Sequence, residues 1–199
     1  MTEGYDLDLI GKLDFSGLCS KDVECVKNRI SEDGYFHGYI PGKGFSFILN
    51  NYRVLSDLGI LEQNWMEAYI HASNFEATSL DTLKEIFDLC DKSKLQEKFP
   101  IYVGEHFSNG ERFSLFRGCA GPNHRKGMSW TSSLDKAIWY AAHHAKLHSV
   151  GNIAVYAAVV ERDEIYCCGS HYDYDFIVIP SEWWQIKVPA VEFRLDRPR

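Results

Sequence analysis

Three short stretches in the second half of the chain hold residue types that could act on a ligand. Leu115-Phe116-Arg117-Gly118 ends a hydrophobic run on an arginine and opens into a Gly- and Pro-containing loop, Gly118 to Gly127. A guanidinium there is costly to bury unless an anion or carboxylate meets it, and its planar fork suits a phosphate in bidentate fashion. Taken alone, Arg117 reads first as one half of a structural salt bridge. In Gly127-Met128-Ser129-Trp130-Thr131-Ser132, strand alternation gives Ser129 and Thr131 one face and Met128 and Trp130 the other. Two hydroxyls on one face can donate to and accept from ribose hydroxyls or carboxylates, although strand-end and N-cap residues look the same in isolation. In His171-Tyr172-Asp173-Tyr174-Asp175-Phe176-Ile177-Val178, two carboxylates share one side of a strand just before an apolar run. Like charges that close raise one another's pKa, a cost that calls for partners or for function. The run into the core points to a sheet-edge cleft.

Other features carry simpler readings. Pro41-Gly42-Lys43-Gly44 lacks the full phosphate-loop pattern and reads as a turn. His143, His144 and His148 lie on one helix and read as a solvated face rather than a metal site. Cys167 and Cys168 are adjacent, so a strand would point them to opposite faces, away from a shared ion. With no disulfide-framework spacing, the six cysteines read as reduced thiols, mostly small core hydrophobes. Trp183-Trp184 is expected to pack into the core at a sheet edge. Arg194, Arg197 and Arg199 form a basic tail.

The elements that must position these residues divide in two. Apolar spacing predicts helices over Lys21–Ile30, capped by Ser20, over Phe45–Ile60, with Gly59 as a stop, and over Gln63–Ala72 and Leu80–Leu89, the last capped by Ser79 or Asp81. The pattern changes at Phe99-Pro100. Strands are expected at Ile101–Val103, Ser114–Phe116 and Gly127–Thr131, then a helix over Ser133–His148 with Ser132 and Asp135 as a capping box. Three further strands follow: Ile153–Val160, apolar on both faces and hence internal, Phe176–Ile179 and Ile186–Phe193. The fold class is α+β. Residues 1–98 form a helical N-terminal region and residues 99–199 a β core with one long helix, as two regions or as one continuous domain.

Composition sets the outer bounds. The chain has 199 residues, 45% hydrophobic and 25% charged, a balance that excludes wholesale disorder and supports a sizeable core. No apolar run approaches the roughly 20 residues a bilayer span needs, and the acidic first residues lack a secretory signal, so a cytoplasmic protein is expected. Residues 1–98 carry ten Lys and Arg against seventeen Asp and Glu, so the whole formal charge of −7 sits there. Such a chain has no global field drawing it to nucleic acid, though a local basic groove would suffice for contact.

Taken in order, Arg117 at a strand end, Ser129-x-Thr131 leading into a helix that carries Ala137-x-x-Tyr140-Ala141, and Asp173-Tyr174-Asp175 opening a strand resemble the mono-ADP-ribosyltransferases of the Arg–Ser–Glu type. The small bacterial and phage-associated toxin-like members are the most similar. The resemblance covers about residues 99–194, with Trp130 in place of the family's middle Thr and Asp in place of its catalytic Glu. It implies a split, mixed or antiparallel β-sheet with the helical half packed on it. It also implies cleavage of the nicotinamide–ribose bond of NAD, used as substrate without a metal, and transfer of ADP-ribose to a macromolecular acceptor, protein or nucleic acid. On this reading Asp175 stabilises the oxocarbenium-like cation, Asp173 orients or deprotonates the acceptor, Arg117 and Gly118 hold NAD, and Ser129 and Thr131 fix Asp175 and the ribose. An antitoxin or inhibitor protein is an implied partner, and a role in toxicity or phage defence an implied setting. Three alternatives stay open: an NAD glycohydrolase, a metal-dependent nucleotide-sugar glycosyltransferase using Asp-x-Asp, and an inactive binding module.

Overall fold

The computed structural model describes residues 7–72, 78–101, 112–121, 127–170, 175–193 and 196. Contacts gather the chain into two units, Met1–Ser73 with Glu85–Leu95, and Asn74–Lys84 with Gln96–Arg199. The class is α+β, with seven α-helices among the described residues and one six-stranded antiparallel sheet.

The first unit contains α1 (Leu7–Ile10), α2 (Ser20–Glu32), α3 (Gly44–Asp57) and α4 (Leu61–His71), together with the later part of α5 (Leu80–Leu89) and the start of α6 (Lys92–Lys98). The apolar stripes become its interior: Val26, Ile30, Ile48, Leu55, Trp65 and Phe87 are buried. Two buried asparagines complete the connections, because a buried main-chain group needs a hydrogen-bond partner. Asn64 accepts from the amides of Phe36 and His37 and donates to the carbonyls of Gly34 and Ile60. Asn51 does the same for Asp14, and also donates to Phe47. Gly59 takes φ +70°, a value that favours glycine, and separates α3 from α4. Gly42, at φ +74°, lies in the turn of Pro41–Lys43 before α3, and the Lys43 ammonium pairs with Asp22 at 2.7 Å. The N-cap of α2 is Cys19, not Ser20, whereas Ser79 accepts from the Thr82 amide as expected.

The sheet belongs to the second unit: β1 (Arg112–Ala120), β2 (Ser129–Thr131), β3 (Ile153–Glu161), β4 (Cys167–Ser170), β5 (Asp175–Ile177) and β6 (Trp183–Ile186), in the order β4-β5-β2-β1-β3-β6. β3, apolar on both faces, is indeed internal, paired along its whole length with β1 and on its other side with β6. α7 (Leu134–Leu147) joins β2 to β3. Its N-cap is Ser133, whose Oγ accepts from the Lys136 amide, so the expected capping box of Ser132 with Asp135 is corrected by one residue. Two strand expectations also change. Ile101 lies outside any strand, with Tyr102 and Val103 outside the described residues, and the last strand is Trp183–Ile186 rather than Ile186–Phe193. Pro189 cannot donate to a ladder, and Ala190–Glu192 turn as a short 3-10 helix instead.

The sheet faces differ. Phe113, Leu115 and Cys119 of β1 join Trp130, Tyr156, Cys168 and Phe176 in one buried cluster. On the opposite face Ala137, Ile138 and Ala141 of α7 pack on Val155, with Phe116 and Ile186 beside them. α7 lies so close to β1 that a Cβ on Gly118 would stand 1.7 Å from the Ala137 carbonyl oxygen. Glycine is required there by packing.

Candidate functional site

β1, β2 and β5 are neighbours in the sheet, so the three chemical stretches are brought side by side. Thr131 is the joint. It pairs with Phe116 of β1 on one side and with Asp175 of β5 on the other. Residues directly opposite on antiparallel strands share a face, with Cβ atoms about 5 Å apart. Thr131 and Asp175 therefore stand together on the side of Phe116, and Ser129 shares that side two residues along. The Thr131 hydroxyl is buried and accepts the Ser133 amide at 3.2 Å. The hydroxyl of Thr131 thus stands beside the strand partner that carries the Asp175 carboxylate.

Arg117 reaches the site differently. Alternation puts its stem on the face of Leu115 and Cys119, the opposite side from Thr131 and Asp175. However, β1 and β2 are paired at Phe116 and Thr131 alone, whereas β1 and β3 pair along their full lengths. Beyond that pair the guanidinium takes over the connection, with Nη1 donating to the Ser129 carbonyl oxygen at 2.5 Å. It also lies against Gly127, where a Cβ would fall 2.3 Å from Nη2. Arg117 thus closes the opening between β1 and β2, and the glycine leaves room for its fork.

The remaining residues have these places. Gly118 is covered by α7, and its packing accounts for it. Trp130 is buried in the sheet core. Asp173 lies outside the described residues. Cys167 and Cys168 are buried and pair with Ile177 and Phe176, on opposite faces of β4. Among the described residues no group of three or more His, Cys, Asp or Glu side chains is arranged to hold a metal ion. His143 and His144 lie on α7 and His148 is its C-cap, with His143 stacked on Trp139 at 4.7 Å.

Three residues stand out, one that sequence reasoning passed over and two that it placed in the core. Lys136, in the first turn of α7, is buried, and an ammonium out of water needs compensating partners. Nothing in the spacing distinguishes it from a surface lysine. Trp183 and Trp184, expected in the core, are 45% and 51% exposed on the edge strand β6. The early end of the sheet at Ile186 could have signalled this, since an edge strand has only one neighbour to bury against.

No family model matches the chain, and no curated protein or solved structure matches it. No helix among the described residues is long and apolar enough to cross a membrane.

Proposed function

We propose that the chain is an NAD-dependent ADP-ribosyltransferase that cleaves the nicotinamide–ribose bond and passes ADP-ribose to a macromolecular acceptor. The observation that supports this most is the adjacency of β5, β2 and β1, with Thr131 standing between Asp175 and the residue preceding Arg117.

Loss of nicotinamide leaves positive charge on the ribose, and a fixed carboxylate beside that carbon lowers the barrier by opposing the charge as it develops. Asp175 takes this role, oriented by the Thr131 hydroxyl. Arg117, which donates to the Ser129 carbonyl, holds the phosphates, and Ser129 fixes the ribose. Asp173 orients or deprotonates the acceptor. A cytoplasmic toxin or effector held by an inhibitor protein is the setting that goes with this chemistry.

Incubation with labelled NAD and whole-cell lysate, followed by separate nuclease and protease digestion, tests the reading. Label retained on a macromolecule and lost with one digestion supports the transferase and names its acceptor class. Free ADP-ribose with no macromolecular label replaces it by the glycohydrolase.

A further inference from the structure

The sheet ends differently on its two sides. At the β4 edge the Cys168 amide donates to the Phe99 carbonyl at 3.2 Å, so that edge has a main-chain partner. β6, at the other edge, has β3 on one side and no strand on the other among the described residues. Alternation decides which of its main-chain groups face outward. The Val178 amide donates to the Met128 carbonyl at 3.0 Å, one step beyond the Ser129 and Ile177 pair of β2 and β5. Hydrogen-bonded pairs alternate with non-hydrogen-bonded pairs along an antiparallel ladder. Carried across the sheet, this gives bonded pairs at Trp130 and Phe176, Phe116 and Thr131, Arg117 and Tyr156, and Ala157 and Trp184. Trp184 and Ile186 therefore turn their main chain to β3, and Trp183 and Gln185 turn theirs outward.

This edge lacks the usual protections. Trp183–Ile186 holds no charge and no proline, and its pairing with β3 has no bulge. Two of its four side chains are half-exposed tryptophans. Residues 99–199 carry eleven Lys and Arg against eleven Asp and Glu, so no net charge of this half opposes a like surface.

We infer that β6 pairs antiparallel with β6 of a second copy of this chain, about a two-fold axis at Gln185. Directly opposite residues share a face, so a symmetric pair of strands must be centred on a residue rather than between two. Centring on Gln185 sets Trp184 opposite the partner's Ile186, on the side where Ile186 packs beside α7. It also sets Trp183 opposite the partner's Lys187, an exposed residue whose stem and ammonium suit the face of an indole. Gln185 meets its own copy, and the two outward amides and carbonyls bond each other. Centring on Trp184 instead sets the Glu182 carboxylate against the partner's Ile186, which is the poorer register.

Sedimentation equilibrium tests this on the wild type, Gln185→Pro, Gln185→Asp, Gln185→Lys and an equimolar mixture of the last two. Proline removes an outward N–H that β3 does not use, so the ladder within one copy is kept while both bonds on the axis are lost. The wild type is expected to dimerise as concentration rises, and Gln185→Pro to dimerise roughly tenfold or more less tightly, the worth of two hydrogen bonds. Asp alone or Lys alone sets like charges opposite each other and should weaken the dimer, whereas the mixture sets opposite charges there and should restore it. Recovery on mixing also shows that both variants fold. A wild type that is monomeric at every soluble concentration, a Gln185→Pro dimer as tight as the wild type, or a mixture no tighter than its components overturns the inference.

Discussion

Thr131 and Asp175 are register partners across β2 and β5, a hydroxyl and a carboxylate on one face of adjoining strands. The hydroxyl already accepts from the Ser133 amide that precedes α7, so the start of the helix, the strand and the acidic residue are fixed to one another. Thr131→Val keeps the shape and removes the O–H. Nicotinamide release from NAD is expected to fall about tenfold, the value of one hydrogen bond to a charged group. A release assay on the two proteins checks it.

Gly118 decides how close α7 can lie to β1. A methyl group there meets main-chain atoms of Ala137 and Ala141, which no rotamer change relieves. Gly118→Ala is expected to destabilise the second unit by about 3 kcal/mol, as overpacking against a fixed backbone does. Chemical denaturation reads it as a lower midpoint.

Gly127→Ala separates positioning from folding. The added methyl collides with the end of the Arg117 side chain, which can swing away, rather than with backbone. Stability is expected to change by about 1 kcal/mol or less, the worth of one hydrogen bond, while KM for NAD rises toward that of Arg117→Ala. Steady-state kinetics beside a denaturation curve gives both numbers.

His37 packs against Gly44 in the first unit, and burial pushes its imidazole below the ordinary 6.5, with His71 acting in the same direction and Glu67 opposing. A depressed folded value means that the unfolded chain takes up the proton first. The stability that neutral His37 contributes is complete above about pH 6.5 and is lost as the pH falls toward the lower folded value. The urea midpoint of the first unit should therefore drop as the pH falls below about 6.5, and His37→Gln should flatten that drop.

Sequence made the repeating elements legible because burial imposes a period. Leu80–Leu89 matches α5 end for end, and the two-sided apolar run of β3 marks an internal strand. It also marked the neighbourhood of the site, since Arg117, Ser129, Thr131 and Asp175 all fall on three adjoining strands. What it missed depends on long-range pairing. Residues 167–170 have no alternation of their own and become β4 by joining β5. The side from which Arg117 leaves the sheet follows from the single-pair joint between β1 and β2, which no local pattern encodes. Trp183 and Trp184 looked like core because aromatics usually are. They are exposed because β6 has a neighbour on one side only.

Nicotinamide released from NAD by wild type, Asp175→Ala and Asp175→Glu is the measurement that bears most directly on the chemistry assigned to this sheet. Wild type should release nicotinamide, Asp175→Ala should lose about a hundredfold or more of the rate, and Asp175→Glu, with a carboxylate restored, should keep most of it. Equal rates for wild type and Asp175→Ala, or no release by the wild type, would contradict the account.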